Sequence, residues 1–116
     1  MFSEACNKAK KIIKIEISDK EINGALIRGD GKILCEKKSA LCGIGETLIK
    51  ETVGLINSLI HCIGWIKSDI RCVLIRCLGQ IEEERGVVNC AQLGFDYYPV
   101  AKSVSEKTGL RVRIYG

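Results

Sequence analysis

Residues 12–18, IIKIEIS, alternate between apolar and polar: Ile13, Ile15 and Ile17 share one face, and Lys14, Glu16 and Ser18 the other. Alternation with period two predicts a half-buried strand. Residues 21–28, EINGALIR, predict a second strand, and residues 32–39, KILCEKKS, a third. Between these two lies Gly29-Asp30-Gly31, a hairpin turn, because Asp-Gly accepts the positive φ that tight turns require. The period then changes. Leu48, Ile49, Thr52, Leu55, Ile56, Leu59, Ile60 and Ile63 recur at spacings of three and four, which predicts a helix over 46–63 with one apolar face. Gly43 and Gly45 precede it and Gly64 stops it.

Residues 70–78, IRCVLIRCL, are a nearly continuous apolar run, as expected of a strand covered on both faces. A polar turn at 82–86 leads into Val87-Val88 and a loop. Pro99 suits the first turn of a second helix, where its missing N–H costs nothing. That helix runs to about Thr108 and is capped by Gly109. Residues 110–115, LRVRIY, alternate again and predict a last strand. The order is βββαβ, a short extended excursion, then αβ. A strand–helix–strand crossover needs a parallel pair, so the pattern predicts an α/β mixed sheet with helices packed on it. This is the layout of a ribonuclease-H-like (actin-like ATPase) domain, one option among several α/β folds.

Composition narrows the setting. The chain has 116 residues, one domain's worth of core. No apolar run approaches the ~20 residues that span a bilayer, and the opening MFSEACNKAKK lacks the apolar segment of a signal peptide. A cytoplasmic protein without membrane contact is expected. Of the net charge of +4, Lys8, Lys10, Lys11 and Lys14 cluster near the start without interleaved aromatics, which reads as a solvated face. The domain expected is residues 12–116, after a polar segment 1–11. Seven cysteines, an odd number with no C-x-x-C pair, suggest neither a disulfide framework nor a zinc site. Buried, reduced thiols are expected, with Cys35, Cys72 and Cys77 in apolar runs and Cys6 the exposed one.

Specific motifs carry a family resemblance. Gly24-Ala25-Leu26 and Asp30-Gly31-Lys32-Ile33-Leu34 stand in segment 13–34 as in the opening of ROK proteins, the bacterial sugar kinases and sugar-responsive repressors. Segment 79–88, GQIEEERGVV, resembles that family's G-P-V-D-x-x-x-G-V-V. Segment 92–95, QLGF, resembles N-L-G-W, and segment 108–114, TGLRVRI, resembles T-G-L-P-V-x-V. The chain thus resembles the first lobe of a ROK protein.

The departures decide what that resemblance implies. ROK kinases open on D-x-G-G-T, a phosphate cradle whose glycines admit the phosphates to backbone N–H groups. Here Glu16 stands at the Asp position, Ser18 and Asp19 at the glycines and Lys20 at the Thr. Asp19 would set a carboxylate against a phosphate, a repulsion of about 4 kcal/mol at ~4 Å and an effective dielectric near 20. The family's next motif, E-N-D, supplies the catalytic Asp; Tyr115 and Gly116 occupy its first two positions, and the Asp would fall past the end. The later Cys/His zinc motif would also follow.

The resemblance therefore implies a regulatory, non-catalytic lobe of a ROK transcriptional regulator, with no cofactor and no metal. A DNA-binding helix-turn-helix would precede residue 1, so this lobe itself would not contact nucleic acid. Its expected partners are a sugar or sugar phosphate, held by Gly79, Gln92 and Gly94, and a second copy or a second lobe. The alternatives are a fragment of an ATP-dependent hexose kinase and a structural dimerisation module.

Other residues read more plainly. His61 is a surface or partly buried histidine, and Glu82-Glu83-Glu84 a solvated turn. Arg71 and Arg76 should reach the ends of a buried strand, and Trp65 and Ile66 staple a helix end. Phe95, Tyr97 and Tyr98 form an aromatic cluster expected to be exposed as a partner-seeking patch.

Overall fold

In the computed structural model of the chain, residues 10–62 and 69–116 are described. Strands β1 (Lys11–Ile17), β2 (Glu21–Arg28) and β3 (Ile33–Ala40) form an antiparallel meander. Helix α1 (Glu46–Cys62) crosses over to β4 (Ile70–Cys77), which pairs parallel with β1. Next come β5 (Gln80–Glu82), β6 (Val87–Cys90), a 3-10 turn at Ala91–Leu93 and β7 (Phe95–Tyr98). Helix α2 (Val100–Thr108) then returns the chain to β8 (Val112–Tyr115), parallel to β4. The main sheet has the order β3-β2-β1-β4-β8, and β5-β6-β7 is a separate antiparallel sheet.

The expected elements are present within a residue or two at their ends, and the expected mixed α/β layout holds. The excursion differs. What reads as Val87-Val88 and a loop is the middle strand of a three-stranded sheet. Its flanking strands have three and four residues, too few for a period to show. The sequences predicted to lie in Ile63, Gly64, Trp65 and Ile66, and in Cys6 and Lys8, fall outside the described residues.

Both helices pack on one face of the main sheet. Ile13, Ile15, Ile17, Ile22, Leu26, Val73 and Ile75 point from the strands into a core closed by Leu48, Ile49, Ile56 and Leu59 of α1 and Val104 of α2. Gly24 lets α1 lie close, since a Cβ there would come within 2.8 Å of Leu59 Cδ1 and 3.1 Å of Leu55 Cδ2. Gly109, at φ 74°, ends α2 as expected, its N–H donating to the Ser105 carbonyl. Pro99 is the residue before α2, and its carbonyl accepts the helix-type bond from the Ser103 N–H at 3.0 Å.

The opposite face is open. In β4, Cys72 and Leu74 are half-buried and Arg76 is exposed, so this strand is covered on one face and not on two. Arg71 and Arg76 stand one residue inside the two ends of β4, and Arg76 pairs in register with Glu16 of β1 on the open face. Lys14, Glu16, Asn23, Arg76 and Tyr115 line a groove there of about 560 Å³. Lys11 departs from the expected solvated face: it is 2% exposed, at the start of a strand flanked by β2 and β4.

Cysteine placement is also mixed. Cys77 and Cys90 are buried, Cys35 and Cys72 half-buried, and Cys42 and Cys62 exposed. Burial, then the neighbouring Cys90, pushes the Cys77 thiol up to about 12.

Candidate functional site

The parallel strands β1, β4 and β8 end along one edge of the main sheet. In α/β sheets such carboxyl ends are where ligands gather. Three backbone segments follow them: the turn Ser18–Lys20, the bend Leu78-Gly79, and Gly116, which packs against Ile81 of β5.

The Ser18 turn is closed on itself. The Ser18 N–H donates to the Glu21 carbonyl at 3.0 Å. The Ser18 hydroxyl oxygen accepts from the N–H of Glu21 at 3.1 Å and of Lys20 at 3.3 Å, and the hydroxyl lies 3.1 Å from the Glu21 carbonyl. Three of the four amides from Ser18 to Glu21 are thus engaged within the turn. A phosphate cradle needs free, converging N–H groups, and a side-chain hydroxyl competes for them here. Asp19 and Lys20 are both exposed. Water screens an exposed carboxylate, so repulsion from Asp19 falls toward ~1 kcal/mol at 4 Å. The occupied amides are therefore the larger defect, and reading the sequence for charge missed them. A Ser two and three residues before the amides it caps was the available signal.

Glu16 stands two residues before Ser18, with the same parity along β1. Its side chain lies on the open face with Arg76 and Tyr115, in the groove, while Ser18, Asp19 and Lys20 are outside that lining. Of the four residues of the expected phosphate loop, Glu16 alone lines the groove.

Gly79 has φ 97°, and a Cβ would come within 2.6 Å of Cys90 Cβ and 2.7 Å of the Asn89 carbonyl oxygen. Only glycine fits. Gly79 thus seats the end of β4 against the end of β6, one residue before the 3-10 turn. Gln92 lies exposed on that turn and makes no side-chain hydrogen bond among the described residues. Gly94, at φ 73°, ends the turn; a Cβ there would come within 2.9 Å of the Gly45 nitrogen and 3.0 Å of Ile44 Cβ. The fold therefore brings Gly79, Gln92 and Gly94 into one neighbourhood.

The loop 41–45 joins that neighbourhood to the Ser18 turn. At one end the Leu41 N–H donates to the Lys20 carbonyl at 3.0 Å. At the other the Gly45 N–H donates to the Leu93 carbonyl at 2.7 Å. Between them the Gly43 N–H donates to Glu51 Oε1 at 2.9 Å. Gly43 and Gly45 mark the loop in the sequence, yet there they read only as residues before a helix.

The aromatic cluster is not an exposed patch. Phe95 is 1% exposed, with its ring 5.2 Å from that of the half-buried Tyr98, and the Tyr98 hydroxyl reaches Glu46 Oε1 at 3.2 Å. Tyr97 alone projects, at 59% exposure and with a positive φ of 47°. Strand alternation turned Phe95 into the core. His61 and Glu82, Glu83 and Glu84 are exposed, with Glu82 held by Arg85 at 3.0 Å. Among the described residues no cluster of His, Cys, Asp or Glu could hold a metal. No described helix is long and apolar enough to cross a membrane.

No family model and no curated protein matches the sequence. Solved structures do match its fold. A ROK family glucokinase from Streptomyces griseus, in complex with glucose and AMPPNP, superposes with a TM-score of 0.81 at 19% identity, over 91% of this chain and 33% of that one. A ROK family transcriptional regulator, a homolog of the E. coli MLC protein, gives 0.81 at 15% identity, over 93% and 28%. A ROK family protein from Streptococcus pneumoniae TIGR4, in complex with sucrose, gives 0.69 at 20% identity, over 90% and 33%. The chain spans about a third of the length of these proteins, and kinases and a regulator share its architecture equally. Motifs and architecture agree: this chain has the actin-like ATPase fold as ROK proteins carry it.

Proposed function

We propose that this chain is a non-catalytic, ligand-binding lobe of a ROK-type, sugar-responsive transcriptional regulator. The observation that carries the reading is the Ser18 turn, whose own hydroxyl occupies the amides a phosphate cradle would offer. A site that cannot grip a nucleotide phosphate still retains the glycine-built neighbourhood of Gly79 and Gly94. In it the Gln92 amide, exposed and uncommitted, can both donate to and accept from a sugar hydroxyl. The neighbours that hold glucose or sucrose support a sugar as the ligand class. Self-association or a second lobe would complete the site, as the matched structures are about three times longer than this chain.

Titration calorimetry with a panel of hexoses and hexose phosphates tests this. Binding heat that disappears in Gln92→Ala is the expected outcome, and silence across the panel counts against a ligand role. The rival reading, a piece of a ROK sugar kinase, predicts phosphoryl transfer from ATP to glucose by the complete protein. Turnover that is lost on changing Glu16 would overturn the regulatory reading.

A further inference from the structure

We propose that Cys35 and Cys62 are a redox pair that closes into a disulfide, fastening the edge strand β3 to the last turn of α1. Cys35 pairs in register with Leu26, on the face of β3 that meets the helix, and packs against the core from its rim. Cys62 is the final residue of α1. Their Sγ atoms lie 2.7 Å apart. Non-bonded carbon atoms settle at roughly 3.5–4.0 Å and sulfur is larger, while a disulfide measures ~2.0 Å. The two sulfurs already stand inside ordinary contact distance, about 0.7 Å beyond the length of the bond that would join them.

Access and order follow from the surroundings. Cys62 is exposed and Cys35 half-buried, so an oxidant reaches Cys62 first. The hydrogen bond with Cys62, then burial, holds the Cys35 thiol above the ordinary range, so Cys35 is the poorer first nucleophile of the two. With glutathione disulfide as oxidant, the Cys62 thiolate attacks one sulfur and expels a glutathione thiolate, leaving a mixed disulfide. Cys35 then loses its proton and attacks the Cys62 sulfur, expelling the second glutathione. Two cysteine thiols give up two electrons, one glutathione disulfide takes them, and the two protons end on the two glutathione thiols.

Among the described residues the other thiols lack this combination. Cys77 and Cys90 are neighbours but buried from any oxidant, and exposed Cys42 has the Ala40 carbonyl, at 3.5 Å, as its hydrogen-bond partner. The loop that the bond would close contains the whole of α1 and the 41–45 strut between the Ser18 turn and the 91–94 turn. Oxidation would therefore stiffen the frame of the candidate site. The inference stands on the sulfur geometry and does not depend on the ligand assigned above.

The test is to equilibrate the full chain in glutathione redox buffers, block free thiols, and map tryptic peptides without reduction. The expected product links peptide 33–37 to peptide 51–67, with Tm raised by roughly 10 °C or more and restored by dithiothreitol. Cys42→Ser should leave both effects intact, and Cys35→Ser and Cys62→Ser should abolish both. Glutathione remaining on Cys62 without the linked peptide, or the same Tm rise in Cys35→Ser, would overturn the proposal. Should a variant fail to fold, the peptide map of the unaltered chain decides alone.

Discussion

The two faces of the main sheet come from the same strands and behave differently. On one, Ile13, Ile15, Ile17 and Ile22 lie beneath α1 and α2 at 4% exposure or less. On the other, Lys14, Glu16 and Arg76 line an open groove in which the Asn23 side-chain oxygen is buried without a hydrogen-bond partner. Neighbours along β1 thus sit in opposite environments. Free energy of folding is concentrated on the helix-covered face, where apolar area leaves water. The open face keeps its charges, and nothing among the described residues covers them.

The sharpest way to break this contrast is to substitute adjacent residues. Ile15→Ala should cost about 2–5 kcal/mol in urea unfolding, as lost burial plus a cavity. Glu16→Ala, one position on, should stay within ~0.5 kcal/mol. Equal costs would mean that the open face is covered in solution. Gly79→Ala comes next, at roughly 1–3 kcal/mol for the left-handed backbone alone, with the clash at Cys90 added. Circular dichroism melting would register it as a clear drop in Tm.

Alkaline titration tests the covered face from within. The Cys77 thiol is raised from its ordinary value of 9.0 to about 12 in the folded state, so its contribution is intact below pH 9. Above that the unfolded chain loses the proton while the folded one keeps it. Stability should fall between pH 9 and about 12, by at most ~1.4 kcal/mol per pH unit from this group. Cys77→Ala should flatten that slope. Ser18→Ala has the smallest expected effect on folding apart from the Glu16 change. It should cost about 1 kcal/mol, by analogy with losing a helix N-cap, and should raise amide exchange at Lys20 and Glu21. Unchanged exchange there would remove the argument that this hydroxyl fills the cradle.

Much of this molecule was legible in one dimension. The isoleucines at 13, 15 and 17 and the three-four spacing of the α1 leucines and isoleucines name their elements because period reports backbone geometry directly. The antiparallel start followed by crossovers was enough to predict a mixed sheet, and the motifs around Gly24, Gly79 and Gly94 pointed to the ROK architecture. The β5 and β7 strands were illegible, since three or four residues carry no measurable period. Phe95 was read as surface for the same reason.

Residue order alone thus determined the elements and their sequence, while the need for glycine at 79 and 94 shows only in the structure. Contact between distant segments was decided only in three dimensions. The bond from Gly45 to Leu93, the pairing of Glu16 with Arg76 and the meeting of Cys35 with Cys62 all depend on the register of the strands and the docking of α1. Register and docking are set by the packing of the whole core, a cooperative property that no local stretch of sequence contains.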